Sequence, residues 1–199
     1  MRKMRFFFAV LALFAFQVTA QAQVDSSRAR VLEALERGDT EGAEKIVAEI
    51  AAAAVAGNVF YEEIRSCGFY PQETRLECAI AIKQQFGYAG PIGSFGSFEY
   101  VSFFVDWHNN GFQISDYVGS GIVHVTDGSG GTNFAVYRDF NPPGGPRTNN
   151  GGPVTTTTTG GPVYRVLAKL SWFVPVTNPL APQVWGNDFF FTIRMMPMR

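Results

Sequence analysis

The residues best spaced for chemistry lie in one short run, Asp106-Trp107-His108-Asn109-Asn110-Gly111. Asp106, His108 and Asn110 alternate, and Gly111 follows at once. Alternate oxygen-bearing side chains converging over a glycine bend form the first half of a calcium loop. Asp116 offers a further carboxylate, whereas the twelfth position of such a loop is Tyr117 rather than a bidentate glutamate. Two readings stand side by side. One is a site for Ca2+ built from Asp106, His108, Asn110 and Asp116. The other is a polar turn whose Asp and Asn side chains bond the backbone. No other cofactor or firm metal site is expected.

Catalysis has less to draw on. His108 and His124 are the two histidines, neither lies in a His-Glu-x-x-His pattern, and no Gly-x-Ser-x-Gly elbow occurs. Ser120, His124 and Asp127 supply the members of a triad, and geometry rather than order defines one. His124 is flanked by Val123 and Val125, however, where a structural histidine is the commoner outcome. The acids of the C-terminal part are scattered among turns, which argues against opposed glycosidase carboxylates. No catalytic residue is expected. For sugar stacking, Tyr88 in a Gly-rich loop and Trp185 in a Pro-punctuated loop are the expected exposed platforms, with Tyr164 and Trp172 in the core.

These residues need elements to hold them. Phe98 to Trp107 is apolar on both faces, which is typical of a central strand covered twice. Asn110-Gly111 is a hairpin signal, and Gly121 to Asp127 alternates as the return strand. Arg75 to Lys83 also alternates, with Leu76, Cys78, Ile80 and Ile82 on one side. Further strands are expected at Asn133 to Phe140, at Val163 to Val174 and at Asp188 to Met195. In the second of these, Arg165, Lys169 and Ser171 should point out; in the third, Phe189, Phe191, Ile193 and Met195 should point in. The Gly/Pro/Thr-rich stretch 141–162 reads as a loop. Six or more turn-separated strands without intervening helices indicate a mainly β domain over 67–199, an antiparallel β-sandwich of immunoglobulin-like or jelly-roll type.

The N-terminal part differs. Arg2, Lys3 and Arg5 precede an 11-residue apolar run, Phe6 to Phe16, and Ala20-Gln21-Ala22 follows. That is a signal peptide over 1–22 with cleavage after Ala22, so the product should be secreted or periplasmic with no membrane span. Residues 23–66 are rich in Ala and Glu and read as an αα-hairpin. Asp25, Ser26 and Ser27 are N-cap candidates, and one helix presents Val31, Leu32 and Leu35. Gly38-Asp39-Thr40 breaks the chain. The second helix presents Ala43, Ile46, Val47, Ile50 and Ala54, and Val59 to Ile64 adds a short turn. A lone helix pair cannot bury its own stripe, so the 26–56 helices should dock on the β domain, pair with another chain in self-association or partner binding, or stay mobile as an N-terminal spacer.

Loss of the leader leaves 13 basic residues against 17 acidic, a net charge of −4. That balance gives no electrostatic case for nucleic acid or an anionic membrane. Cys67 and Cys78 are the only cysteines, and in an exported chain they should pair as a disulfide.

The order of strand, Asp106-Trp107, Asn110-Gly111, Phe112 and a Gly-containing return strand resembles GEVED-type modules. These are β-sandwich domains of secreted and surface bacterial proteins, in which an Asp-Trp-Asn-x-Asp-Gly turn is typical. The likeness spans residues 98–127 and differs at His108 and Asn110. It implies an extracellular sandwich and no enzymatic activity. The expected role is therefore a non-enzymatic, adhesion-like one, binding a protein or glycan at the cell surface or in the matrix. A carbohydrate-binding module is the first alternative and a small secreted hydrolase the second.

Overall fold

The computed structural model describes residues 28–53, 57–142, 163–183 and 185–195. The expected leader, the N-cap candidates Asp25, Ser26 and Ser27, and residues 143–162 of the Gly/Pro/Thr-rich loop lie outside these. The chain divides into two compact units, 1–53 and 54–199.

In the first unit, α1 covers residues 28–36 and α2 covers Thr40–Ala53. Gly38 takes φ +73°, a left-handed conformation that ends α1 at little cost for glycine. Asp39 then caps α2, its Oδ1 accepting the Gly42 N–H at 2.8 Å. Val31, Ala34 and Ala43 are buried, whereas Leu32, Leu35 and Ile46 are half-buried. Among the described residues no helix is long and apolar enough to cross a membrane.

The second unit is mainly β. Its strands are β1 (Glu62–Tyr70), β2 (Arg75–Ile82), β3 (Ser97–Asp106), β4 (Tyr117–Val125), β5 (Asn133–Asp139), β6 (Val163–Trp172) and β7 (Asp188–Arg194). They form two antiparallel sheets, one of three strands in the order β1-β2-β5 and one of four in the order β4-β3-β6-β7. β5 lies beside β4, and β1 beside β7. A Cβ on Gly121 would sit 2.5 Å from the Tyr137 carbonyl oxygen, so only glycine lets β4 come this close to β5.

The core follows the alternation. Leu76, Cys78, Ile80 and Ile82 of β2 are buried together with Val101, Phe103 and Val105 of β3. Val166, Ala168 and Leu170 of β6 and Ile193 of β7 complete it. Cys67 stands opposite Cys78 in the β1–β2 register, and the two form the expected disulfide.

Three expectations are corrected. The helical segment was expected to run to Ser66, with a turn at Val59 to Ile64, but β1 already begins at Glu62. Glu62-Glu63 favours helix in isolation; the ladder with β2, with its bulge between Ile64 and Ser66, decides otherwise. The Asn110-Gly111 pair does not form a two-residue hairpin. The connection runs over 107–116, includes a 3₁₀ turn at Ile114–Asp116, and leads into β4 four residues before Gly121. Finally, Lys169 and Ser171 point to the opposite side from Val166, Ala168 and Leu170 as expected, yet both are buried, because that side of the four-stranded sheet is covered at its centre. Lys169 is only 3% exposed and places its Nζ 2.9 Å from Oδ1 of Asp188, which supplies the countercharge.

Candidate functional site

Asp106 ends β3 with its side chain fully buried. Its Oδ1 accepts the Asn110 N–H at 3.1 Å and its Oδ2 accepts the Gly111 N–H at 3.2 Å. Oδ2 also takes the Arg165 Nε–H at 3.1 Å and a second bond from Nη2 of the same guanidinium. Asp106 and Arg165 are direct register partners on β3 and β6, which brings the pair together. Asn109 adopts φ +53°, and the turn closes over the carboxylate. This is the backbone-bonding reading of the turn, with a guanidinium where a bound cation would have to sit.

The other members of the expected cation set do not join it. Asp116 is buried, and its Oδ2 accepts the Gln113 N–H at 2.9 Å to cap the 3₁₀ turn. His108 and Asn110 are exposed. Among the described residues no three His, Cys, Asp or Glu side chains gather as a metal-holding group. The calcium reading therefore loses both its carboxylates to internal bonds.

Burial opposes ionisation of Asp106, but the Arg165 hydrogen bond and the two N–H donors outweigh it and hold the carboxyl below its ordinary value. A depressed folded-state pKa contributes stability that is present above the unfolded value of about 3.9 and lost as pH falls through the folded one. Asp106→Asn is expected to lower stability at pH 7 by about 1–3 kcal/mol through weakened charge-assisted bonds. It should also flatten the acid limb of a stability–pH curve below about pH 5, measured by urea unfolding. An acid limb identical to wild type would refute this role. Asp139 is likewise held low, first by its hydrogen bond from Arg75, and remains in both proteins as the background.

The triad is not assembled. Ser120 Oγ lies 2.8 Å from Ser102 Oγ and 2.7 Å from Tyr117 Oη. His124 Nε2 lies 2.6 Å from the Phe95 carbonyl oxygen, and its ring packs on Phe98 at 5.1 Å. Asp127 Oδ1 accepts the Tyr88 N–H at 2.8 Å. Each residue serves a separate structural bond, which is the outcome expected of a strand histidine between valines.

Both expected stacking platforms are corrected. Tyr88 is fully buried and donates its hydroxyl to the Tyr61 carbonyl oxygen at 2.8 Å. Trp185 is 1% exposed and meets Trp172 edge to face at 5.0 Å. Each anchors its loop from beneath, so neither offers a ring to a sugar. Tyr164, expected in the core, is half-buried and packs against Trp107 at 5.0 Å.

Exposed aromatics stand elsewhere. The outer side of the three-stranded sheet carries Tyr70, Gly68 and Ser66 of β1, Arg75, Glu77, Ala79 and Ala81 of β2, and Asn133, Ala135, Tyr137 and Asp139 of β5. Its β5 positions are all exposed, and Tyr70 and Tyr137 are each 51% exposed. Arg75 lies over the Tyr137 ring with its Cζ 4.1 Å from the centroid. It is tied to Asp139 at 2.7 Å and to Glu73 at 2.8 Å. Alternation with Val136 already places Tyr137 outward in the sequence. Tyr70 carries no such signal, because the bulge in β1 breaks the alternation that leads to it.

No protein-family model matches the chain, and no curated protein matches it. Among solved structures the chain is similar to a β-glucosidase from Kluyveromyces marxianus, at 11% identity and a TM-score of 0.28. The match covers 67% of this chain and 15% of that one. At that TM-score the likeness supports neither a shared fold nor shared chemistry.

Proposed function

We propose that the chain is a secreted or periplasmic, non-enzymatic β-sandwich protein that binds a partner at the cell surface or in the extracellular matrix. The observation that carries this reading is the open outer side of the three-stranded sheet, with two half-exposed tyrosines held on paired strands. The four-stranded sheet has its far side covered at Ser102, Phe104, Leu167 and Lys169, so the two sheets are not equivalent surfaces. The sandwich is of immunoglobulin-like or jelly-roll type, and the resemblance of residues 98–127 to GEVED-type modules points to the same extracellular setting. The two helices of the first unit, 28–36 and Thr40–Ala53, serve as an appendage or a self-association element. The disulfide is compatible with an oxidising compartment.

The test is fractionation of cells expressing the full chain, followed by co-sedimentation of the product with envelope material. The expected product begins at Gln23, appears outside the cytoplasm and pellets with the envelope. An uncleaved cytoplasmic chain, or an exported one that stays in the supernatant, overturns the proposal.

A further inference from the structure

We infer that the outer side of the three-stranded sheet is a binding face for a neutral polysaccharide, which stacks sugar rings on Tyr137 and Tyr70. This rests on the interaction role proposed above and names the partner's chemistry.

The floor of the face is made of small residues. Ser66 of β1, Ala79 of β2 and Ala135 of β5 stand side by side, and Gly68 follows on β1 opposite the exposed Glu77, so an extended polymer can lie close to the sheet over this row. The floor continues into an open trough of about 670 Å³, lined by Arg65, Ser66, Ala79, Ala81, Lys83 and Asn133 among others. At the opposite end stand the two tyrosines. Tyr70 pairs with Arg75, Arg75 pairs with Asp139, and Tyr137 lies two residues before Asp139. Two strand spacings and two residues separate the tyrosine Cα positions by roughly 12 Å, the scale of a short oligosaccharide.

Charge then selects among ligands. Arg65 pairs with Glu63 at 2.5 Å, and Lys83 pairs with the same carboxylate. Arg75 is held by Asp139 and Glu73. The cations of this face are thus matched by acids within it, and Glu77 adds one more carboxylate, which gives hydrogen-bonding groups without a positive field. An anionic polymer needs that field. A protein partner needs an apolar centre, whereas here Arg75 and Glu77 stand on β2 between the two tyrosines and the rest of the face is Gly, Ser and Ala. An uncharged polyhydroxylated chain needs flat rings and polar rims, and both are present. Arg75 covers one side of the Tyr137 ring and fixes its orientation, so little side-chain entropy is lost when a sugar meets the exposed remainder. Arg75 is in this sense a positioning residue.

Native affinity electrophoresis of the mature full chain tests the inference, in gels containing hydroxyethylcellulose, xylan or mannan, with alginate as the anionic comparison. Wild type should be retarded in at least one neutral gel and not by alginate alone. Tyr137→Ala and Tyr70→Ala should each weaken that binding about tenfold, with melting temperature unchanged. Phe190→Ala, on the exposed edge of the other sheet, should bind as wild type. Absence of retardation in every neutral gel overturns the glycan assignment, even where envelope co-sedimentation still supports the broader role. So does retardation by alginate only, or equal retardation of wild type and both tyrosine variants.

Discussion

Trp185→Ala is expected to destabilise the β unit by about 3–5 kcal/mol, the range for removing a large buried aromatic ring. Trp185 is 1% exposed and Trp172 2%, and their rings meet edge to face at 5.0 Å. The loss extends beyond the pair. Trp185 makes an isolated parallel bridge with Asn58, Gly186 donates its N–H to the Asn58 carbonyl oxygen at 2.9 Å, and Gly57 donates to Gln183 at 3.3 Å. These bonds fasten the start of the β unit to the loop before β7. Without the indole, the loop keeps the buried Gln183 but loses its largest buried side chain, and the bonds become exposed to water. Phe190→Ala provides the contrast. That ring is 64% exposed, so its removal should stay within about 0.5 kcal/mol. Urea unfolding of both variants decides the matter. Equal, small losses would mean that Trp185 is not the anchor described.

Loss of the Cys67–Cys78 bond is the second large effect. The cysteines are 11 residues apart, and a closed loop of that size restricts the unfolded chain by about 3 kcal/mol. The native sheet already places Cys67 opposite Cys78, so the cross-link follows the existing register of β1 and β2. Cys78 is 1% exposed between Leu76 and Ile80, and a serine there would add a buried hydroxyl. Alanine at both positions is therefore the cleaner test. The double variant should melt about 6–12 °C below wild type, and reduced wild type should behave the same way. A shift under about 2 °C would show that the unfolded chain gains nothing from release of the loop.

Much of the fold was legible because period-two patterns report burial directly. Leu76, Cys78, Ile80 and Ile82 lie inside as their alternation requires, and Phe189, Phe191 and Ile193 lie on the more buried side of β7. The pattern says which side a residue faces but not what covers that side. Alternation alone therefore puts Lys169 and Ser171 on an outward side, and only the covered far side of the four-stranded sheet buries them. β1 was hidden by its two glutamates and its bulge, which break the alternation at the place where β2 imposes pairing. The loop aromatics failed in the opposite sense. Gly and Pro around Tyr88 and Trp185 signal irregular backbone, yet an irregular loop still needs a buried anchor, and a large ring with one polar atom suits that task. Asp106 drew notice for its spacing with His108 and Asn110, while the decisive partner, Arg165, stands 59 residues away and becomes visible only in the β3–β6 register.

The cross-strand bond also determines how the β unit would respond to tension. A pull from the N-terminal side first loads the bonds of Gly57 and Asn58 to the loop before β7, then enters β1 and reaches Cys67 after five residues of that strand. From there the load passes through sulfur to Cys78 and bypasses the segment between. The 11 residue steps from Cys67 to Cys78 cannot pay out, and roughly 35–40 Å of contour length stays locked. A tether under shear would therefore yield in its first half-strand and then meet a covalent stop inside the sheet.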